Sequence, residues 1–444
     1  MAAASTTPPP AARRTTVLDP GYNTAAPLTM HIDLNSCFAT IEQQANRRTR
    51  GRPVAVAAYM NRNGMILAAS YEAKACGIVL GTRVSEALKL CPGIYIVEPD
   101  PPKYREAHRR FREVLETYTS DVTPKSIDEF VVNFEGSPAI QRGSTMEEIG
   151  YAIKQDIYAH VGEAVRCNVG IGPNRFLAKL AAGLHKPDGL DRIDAGNLEQ
   201  TLGTVSLMDL PGINRRFSAR LRVAGIGNPV DFLHAPRSLL RGQVFHGIVG
   251  HYWWLRLRGW EIDDEPTKRS TIGHQYALPR QERDPLSIQA VLAKLCEKAG
   301  RRLRNKGLVA RGIHLSVRTI EYEYWGQSMS LDIQLYSTAD IFKYARRLLS
   351  MAPDCEYTLI AIGVHDFAPS NPEQLSFFDG ERHISRGRDI AEAMDAINDR
   401  YGEFIVRTAA MMGAEGSARD AIAFGNLEDM EPTAFIEPQE VIYE

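Results

Sequence analysis

Met30-His31-Ile32-Asp33-Leu34-Asn35-Ser36-Cys37-Phe38 decides how this chain is read. An apolar, β-prone run reaches an acid and then passes into a helix-like segment, Cys37–Asn46. A carboxylate among apolar neighbours is costly unless a cation compensates its charge, and a divalent ion is the usual one. Further on, Ser126-Ile127-Asp128-Glu129-Phe130-Val131-Val132 repeats the pattern. Asp33, Asp128 and Glu129, converging from two strands, could hold two Mg²⁺ ions with substrate phosphates completing the coordination. The alternative from these residues alone is a pair of strand-end acids in separate turns.

Outward from these segments, residues 28–193 alternate strand and helix signals. Strands are predicted at 28–33, 53–58, 65–69, 127–134 and 166–171. Helices are predicted at 37–46, 71–76, 84–90, 104–119, 146–160 and 175–184, the last opened by Asn174 as N-cap. Residues 194–260 show short helices and no clear strand. Residues 268–366 show two strand-helix-strand units, and one further helix falls near 384–401. The expected fold class is therefore α/β and multidomain.

The 444 residues carry a net charge of −2, unevenly spread. From Asp366 to Glu444 there are 17 acidic and 6 basic residues, a net of −11, which leaves +9 on the remainder. Thr267 to Arg318 alone holds 12 basic and 3 acidic residues. A basic face of this kind, with Arg301, Arg302, Arg304 and Lys306 on one helix, suits a polyanion; a solvated helix face is the plainer reading. Six scattered cysteines without a CxxC pair exclude a zinc ribbon and a disulfide framework. The Ala/Thr/Pro-rich stretch 1–27 reads as a disordered leader, and no apolar run reaches membrane-spanning length.

Four further motifs stand out. Leu207-Met208-Asp209-Leu210-Pro211-Gly212-Ile213 followed by a helix reads as a helix-hairpin-helix, whose turn around Gly212 offers backbone N–H groups to a DNA phosphate, with Arg215 and Arg216 adding charge. Asn214 stands where the motif has its second glycine. Asn174-Arg175-Phe176-Leu177-Ala178-Lys179 places a lysine one turn into a helix that follows a strand. Ser70-Tyr71-Glu72-Ala73-Lys74 brings a hydroxyl and a cation onto one helix face. Gln374-Leu375-Ser376-Phe377-Phe378 exposes apolar residues in a polar stretch, as a docking peptide does.

In order and spacing, the segments 33–39, 70–74, 126–129, 174–179 and 186–189 resemble the Y-family translesion DNA polymerases, over about residues 28–414. The resemblance implies a right-hand polymerase fold: palm and fingers (28–193), helical thumb (194–266) and a small α/β little finger (268–366), before an acidic tail (367–444). It implies an error-prone, lesion-bypassing DNA polymerase using two Mg²⁺ ions, for which Mn²⁺ may substitute. Asp33, Asp128, Glu129 and the Leu34 carbonyl would bind the metals. Tyr71, Lys74 and Lys179 would hold the dNTP triphosphate, and Phe38 would be the steric gate against ribonucleotides. Lys74 stands where many members have arginine, and a lysine cannot make the bidentate phosphate contact. Gly212, Arg215, Arg216 and the basic helix would grip primer-template DNA, while Gln374, Leu375, Phe377 and Phe378 would dock on the sliding clamp. A cytoplasmic, nucleoid-associated enzyme is implied, with an accessory subunit or recombinase as further partners. Asn35, Cys37 and 394–403 resemble the DNA polymerase V catalytic subunit more than DNA polymerase IV. A non-catalytic, clamp-recruited DNA-binding adaptor of the same family is the alternative; such relatives lose the metal carboxylates, and all three are present here.

Overall fold

The computed structural model describes residues 21–264, 270–321, 323–370, 381–419 and 422. Its chain forms two compact units, one made of the described residues up to Asn35 and from Arg109 to 264, the other of those from Ser36 to His108 and from 270 onward.

The first unit is built on a five-stranded sheet in the order Val122–Pro124, Glu129–Asn133, Thr29–Leu34, Cys167–Gly172, Leu190–Arg192. The two partners of the central strand are antiparallel to it, and register places Asp33 opposite Glu129 on one side and Asn168 on the other. His31 lies opposite Val131 and Gly170. Directly opposed residues share a sheet face, and so do residues two apart on one strand. His31, Asp33, Glu129 and Asn168 therefore occupy one face.

Helix Arg175–Leu184 covers that face because two glycines let it approach. A Cβ on Gly170 would lie 2.0 Å from the Ala178 carbonyl oxygen, and one on Gly172 would lie 2.5 Å from the Ala178 nitrogen. The Asn174 side chain caps the helix by accepting the Leu177 N–H at 2.8 Å, as its sequence position predicts. Met30, Ile32, Phe130, Val132, Val169 and Ile171 are buried, the apolar alternation that the opposite face requires. Helix Met146–Asp156 packs there through Gly150, capped by a Thr145/Glu148 box. The rest of the unit is helical, with a core of Phe232, Phe245, Trp253 and Trp254.

In the second unit, strands Ile66–Ala69, Val54–Ala57 and Tyr95–Val97 form a small sheet beside helix Cys37–Ala45. A four-stranded antiparallel sheet runs in the order Tyr324–Leu335, Leu308–Thr319, Tyr357–Pro369, Thr271–Glu282. Ile313, Leu315, Val317, Ile360, Ile362 and Val364 pack there with helices Pro285–Asn305 and Thr338–Leu349. The strands 95–97, 122–124 and 190–192 escape the sequence pattern because three residues carry too little alternation to register.

The structure corrects one expectation here. Arg301 and Arg304 are not an open basic face. The Arg304 guanidinium, 3% exposed, donates to both oxygens of Asp395 at 2.6 and 2.9 Å and lies 3.6 Å from Glu297. Arg301 pairs with Asp399 and, at 3.5 Å, with Glu403. Lys294 and Lys298 donate to the carbonyl oxygens of Glu415 and Ala418, each at 2.8 Å. The acidic tail helix Glu381–Tyr401 and the segment after it thus neutralise much of helix Pro285–Asn305. Arg302 donates to the Gly273 carbonyl at 3.1 Å, and Lys306 is exposed.

Candidate active site

Asp33 and Glu129 face each other across adjacent strands, and each is held by a lysine. Lys186 Nζ donates to Asp33 Oδ1 at 2.7 Å, and Lys179 Nζ reaches both oxygens of Glu129 at 2.8 and 2.7 Å. Both lysines keep about two-fifths of their side chains exposed, at 40% and 42%, so the compensating cations stand at the solvent edge of the cluster. Asp128 turns its carboxylate to the Ser126 hydroxyl, which donates at 2.5 Å. Its backbone carbonyl accepts the Leu34 N–H at 2.9 Å, which fixes the two acid-bearing segments together.

The electrostatics show a cluster short of positive charge. Burial lifts the Asp33 carboxyl from 3.8 to about 6; Asp128 and Glu129 push it the same way, and Lys186 only partly offsets them. Burial also raises Asp128, with the Ser126 hydrogen bond opposing it and the Glu129 charge adding to it. For Glu129 burial again favours the neutral acid, but the Lys179 contact overrides it and holds the carboxyl below its usual range. Burial, with the neighbouring carboxylates adding to it, moves Asp33 up, whereas the Lys179 pair draws Glu129 down.

The donor set fits a divalent cation. Asp33 and Glu129 offer carboxylate oxygens within 4.8 Å of each other and of the neighbouring His31 ring, and Asp128 is close enough to shift the Asp33 carboxyl. Clustered carboxylate oxygens, partly open to solvent, are what Mg²⁺ takes when substrate phosphates complete its shell.

Four residues of the site escaped the sequence reading. Lys186 belongs to a quoted motif, yet its ion pair with Asp33 crosses 153 residues. Its loop is set by two buried asparagines: Asn35 donates to Asn168 Oδ1 at 2.6 Å and accepts the Asp188 N–H at 2.9 Å, while Asn168 donates to the His185 carbonyl at 3.1 Å. His31 was passed over as one polar residue in an apolar strand.

In the second unit, Phe38 is buried and stacks on Tyr104, with ring centroids 4.2 Å apart and planes 9° from parallel. Tyr104 is a further omission; its hydroxyl donates to Glu42 at 2.9 Å, so the Phe38 ring has a fixed backing. Ser36, in left-handed backbone geometry at φ 51°, accepts a hydrogen bond from Lys74 Nζ at 2.7 Å. That ammonium also lies 4.4 Å from the centre of the Tyr71 ring, an i, i+3 cation–π pair. In the helical region of the first unit, Gly212 adopts φ 91° at the hairpin turn. Asn214 caps the next helix by accepting the Phe217 N–H at 3.0 Å, so it replaces the motif's second glycine with a capping side chain. Arg215 and Arg216 are exposed and make no ion pair among the described residues. The peptide 374–378 lies outside the described residues.

The impB/mucB/samB family matches residues 32–183, and the C-terminal domain of the same family matches residues 269–377. DNA polymerase IV of Pelotomaculum thermopropionicum is 32% identical over 397 residues, covering 87% of this chain and 96% of that protein. This chain belongs to that family, the bacterial Y-family translesion DNA polymerases. DNA polymerase IV of Moorella thermoacetica is also 32% identical, over 86% of this chain and 96% of its own. DNA polymerase IV 2 of Bacillus subtilis is 28% identical over 88% and 96%. As a Y-family member, this chain is a DNA-directed DNA polymerase. A Y-family DNA polymerase chimera of known structure matches with a TM-score of 0.64 at 23% identity, over 76% of this chain and 98% of that one. An insertion ternary complex of Dbh DNA polymerase matches with a TM-score of 0.52 over the same shares. The fold is accordingly that of palm, fingers, thumb and little finger. Among the described residues no helix is long and apolar enough to cross a membrane.

Proposed function

We propose that this polymerase performs template-directed nucleotidyl transfer with two divalent ions, Mg²⁺ by donor chemistry with Mn²⁺ as a substitute, held by Asp33, Asp128, Glu129 and the Leu34 carbonyl. The observation that carries the reading is the pairing of Asp33 and Glu129 across adjacent strands, compensated by two half-exposed lysines. When bound, the metals lower the pKa of the primer 3′-hydroxyl and neutralise charge that develops on the phosphates. The protein's part is to hold three carboxylates close together against their mutual repulsion. Lys179 and Lys186 stabilise that arrangement before substrate arrives, and each then exchanges its carboxylate for a phosphate or yields its place to a metal. The family resemblance assigns Tyr71 and Lys74 to the triphosphate alongside Lys179, and Phe38 to sugar discrimination, for which the stacked Tyr104 gives a rigid support.

Palm and fingers at 28–193, thumb at 194–266 and little finger at 268–366 are the corresponding domains. The hairpin at Gly212, with Arg215 and Arg216, binds duplex backbone; Arg302 and Lys306 remain as contributors from the little finger. Gln374, Leu375, Phe377 and Phe378 recruit the sliding clamp, and lesion bypass in damaged cells is the setting, with an accessory subunit or recombinase as further partners. Extension of a labelled primer on a defined template tests this reading. The product must follow the template base by base, and Phe38→Ala must raise ribonucleotide incorporation sharply. A product that ignores the template refutes the polymerase, unchanged sugar selection removes Phe38 from the gate, and DNA binding without extension, clamp present, returns the chain to the adaptor class.

A further inference from the structure

His31 has no explained role in the site as described. It is 2% exposed, and neither ring nitrogen has a hydrogen-bond partner. A buried polar group left unpaired costs stability, and most folds avoid it. A buried side chain that keeps such a cost is a candidate for function. The ring sits on the carboxylate face, two residues before Asp33, in a row with Val131 and Gly170 beneath helix Arg175–Leu184. Burial keeps it uncharged, moving its pKa from 6.5 to about 3. A neutral imidazole carries one N–H donor.

Its nearest polar atom of opposite character is Glu129 Oε2, 4.0 Å from His31 Nε2. That is about 1 Å beyond a hydrogen bond. The same oxygen is the one that Lys179 holds at 2.7 Å. One carboxylate oxygen therefore has two neighbours on helix and strand: an exposed lysine that grips it, and a buried imidazole that does not yet reach it.

We propose that His31 is a positioning residue, the reserve partner of Glu129, which donates Nε2–H to Glu129 Oε2 once Lys179 turns to an incoming polyphosphate. The inference rests on the reading of Lys179 as a triphosphate ligand. Without such a partner, Glu129 would lose the Lys179 donor at the moment when it must hold a metal. With it, the carboxylate shifts by the missing ångström and stays directed into the cluster. Outer-shell partners of this sort typically change metal affinity by about 10–100-fold when lost.

The test is a double-mutant cycle of His31→Leu and Lys179→Met on the full chain, read by Mn²⁺ binding in electron paramagnetic resonance, with and without inorganic tripolyphosphate. His31→Gln, which keeps a donor, serves as the conservative variant and as the substitute if His31→Leu does not fold. Expected for His31→Leu are an unfolding temperature equal to or above wild type, Mn²⁺ affinity nearly unchanged without tripolyphosphate, and a loss of about tenfold with it. In the Lys179→Met background, the tenfold loss should be present without tripolyphosphate, because Glu129 already depends on His31. His31→Gln should recover much of it. Losses that simply add, equal with and without tripolyphosphate, would make His31 a packing residue and overturn the inference. None of these readings needs DNA synthesis. Absence of primer extension by wild type would refute the polymerase reading, whereas a tripolyphosphate effect of the same size in the wild-type and Lys179→Met backgrounds would refute the ligand role of Lys179 on which the inference stands.

Discussion

Two buried ionic clusters in this molecule use the same groups to opposite ends. Beneath helix Arg175–Leu184, Asp33 and Glu129 are compensated by Lys186 and Lys179, whose side chains are 40% and 42% exposed. Against helix Pro285–Asn305, Asp395 and Glu297 surround Arg304, which is 3% exposed. The first cluster has an excess of carboxylate and mobile point charges at its edge. The second is closed by a planar guanidinium that meets Asp395 with two hydrogen bonds and turns its remaining donors to the Tyr336 carbonyl and the Thr338 hydroxyl, both at 3.2 Å. A lysine ammonium exchanges partners readily, whereas a bidentate arginine is fixed in geometry. The difference suits the first cluster to the cation exchange proposed for it and the second to a fixed joint.

The contrast makes its strongest prediction on activity. Asp33→Asn should lower primer extension by about 10²–10³-fold, the scale of losing a preorganised electrostatic stabiliser. The same change should leave the unfolding temperature unchanged or raise it. Asp33 titrates higher in the folded chain, at about 6 against 3.8, so it binds more protons folded than unfolded between those values. Its contribution is therefore favourable below pH 3.8 and is lost as pH rises towards 6, which leaves ionised Asp33 a burden at neutral pH. A marked fall in stability would place Asp33 with the closed cluster instead.

Asp395→Ala should behave in reverse. Removing one partner of a buried pair strands the Arg304 charge and costs about 3–5 kcal/mol in denaturant unfolding. Extension per folded molecule should stay near wild type. Full stability in that variant would show that the tail helix is not anchored by the pair. The smallest effect concerns the exposed arginines. Arg215→Ala or Arg216→Ala should weaken DNA binding modestly, with the salt slope of log K falling by about one per lost phosphate contact. Arg301→Ala, whose guanidinium is already committed to Asp399 and Glu403, should leave that slope unchanged.

The residues alone left the carboxylates open and Lys179 a solvent lysine; only the resemblance singled them out together, and the strand register and the Lys179–Glu129 pair now bring them to one face. The α/β units were legible from periodicity, including the limits of helices 84–90 and 175–184. The hairpin arginines Arg215 and Arg216 are exposed and make no ion pair among the described residues. Arg301 and Arg304 misled for the opposite reason: their partners lie 91 to 102 residues away in the tail, so local charge counting credited them to the surface. His31 was hidden because its value depends on what it fails to bond, and a sequence does not show an unpaired atom. Tyr104 was hidden because its stacking on Phe38 crosses an entire sheet-forming segment.

The central claim is that three carboxylates of the first unit carry a metal-dependent polymerase reaction. The most direct test extends a labelled primer on a defined template with Mg²⁺ and dNTPs, comparing wild type with Asp128→Ala and monitoring DNA binding in parallel. Expected are templated extension by wild type, none by the variant, and equal DNA binding by both. Appreciable extension by Asp128→Ala would contradict it.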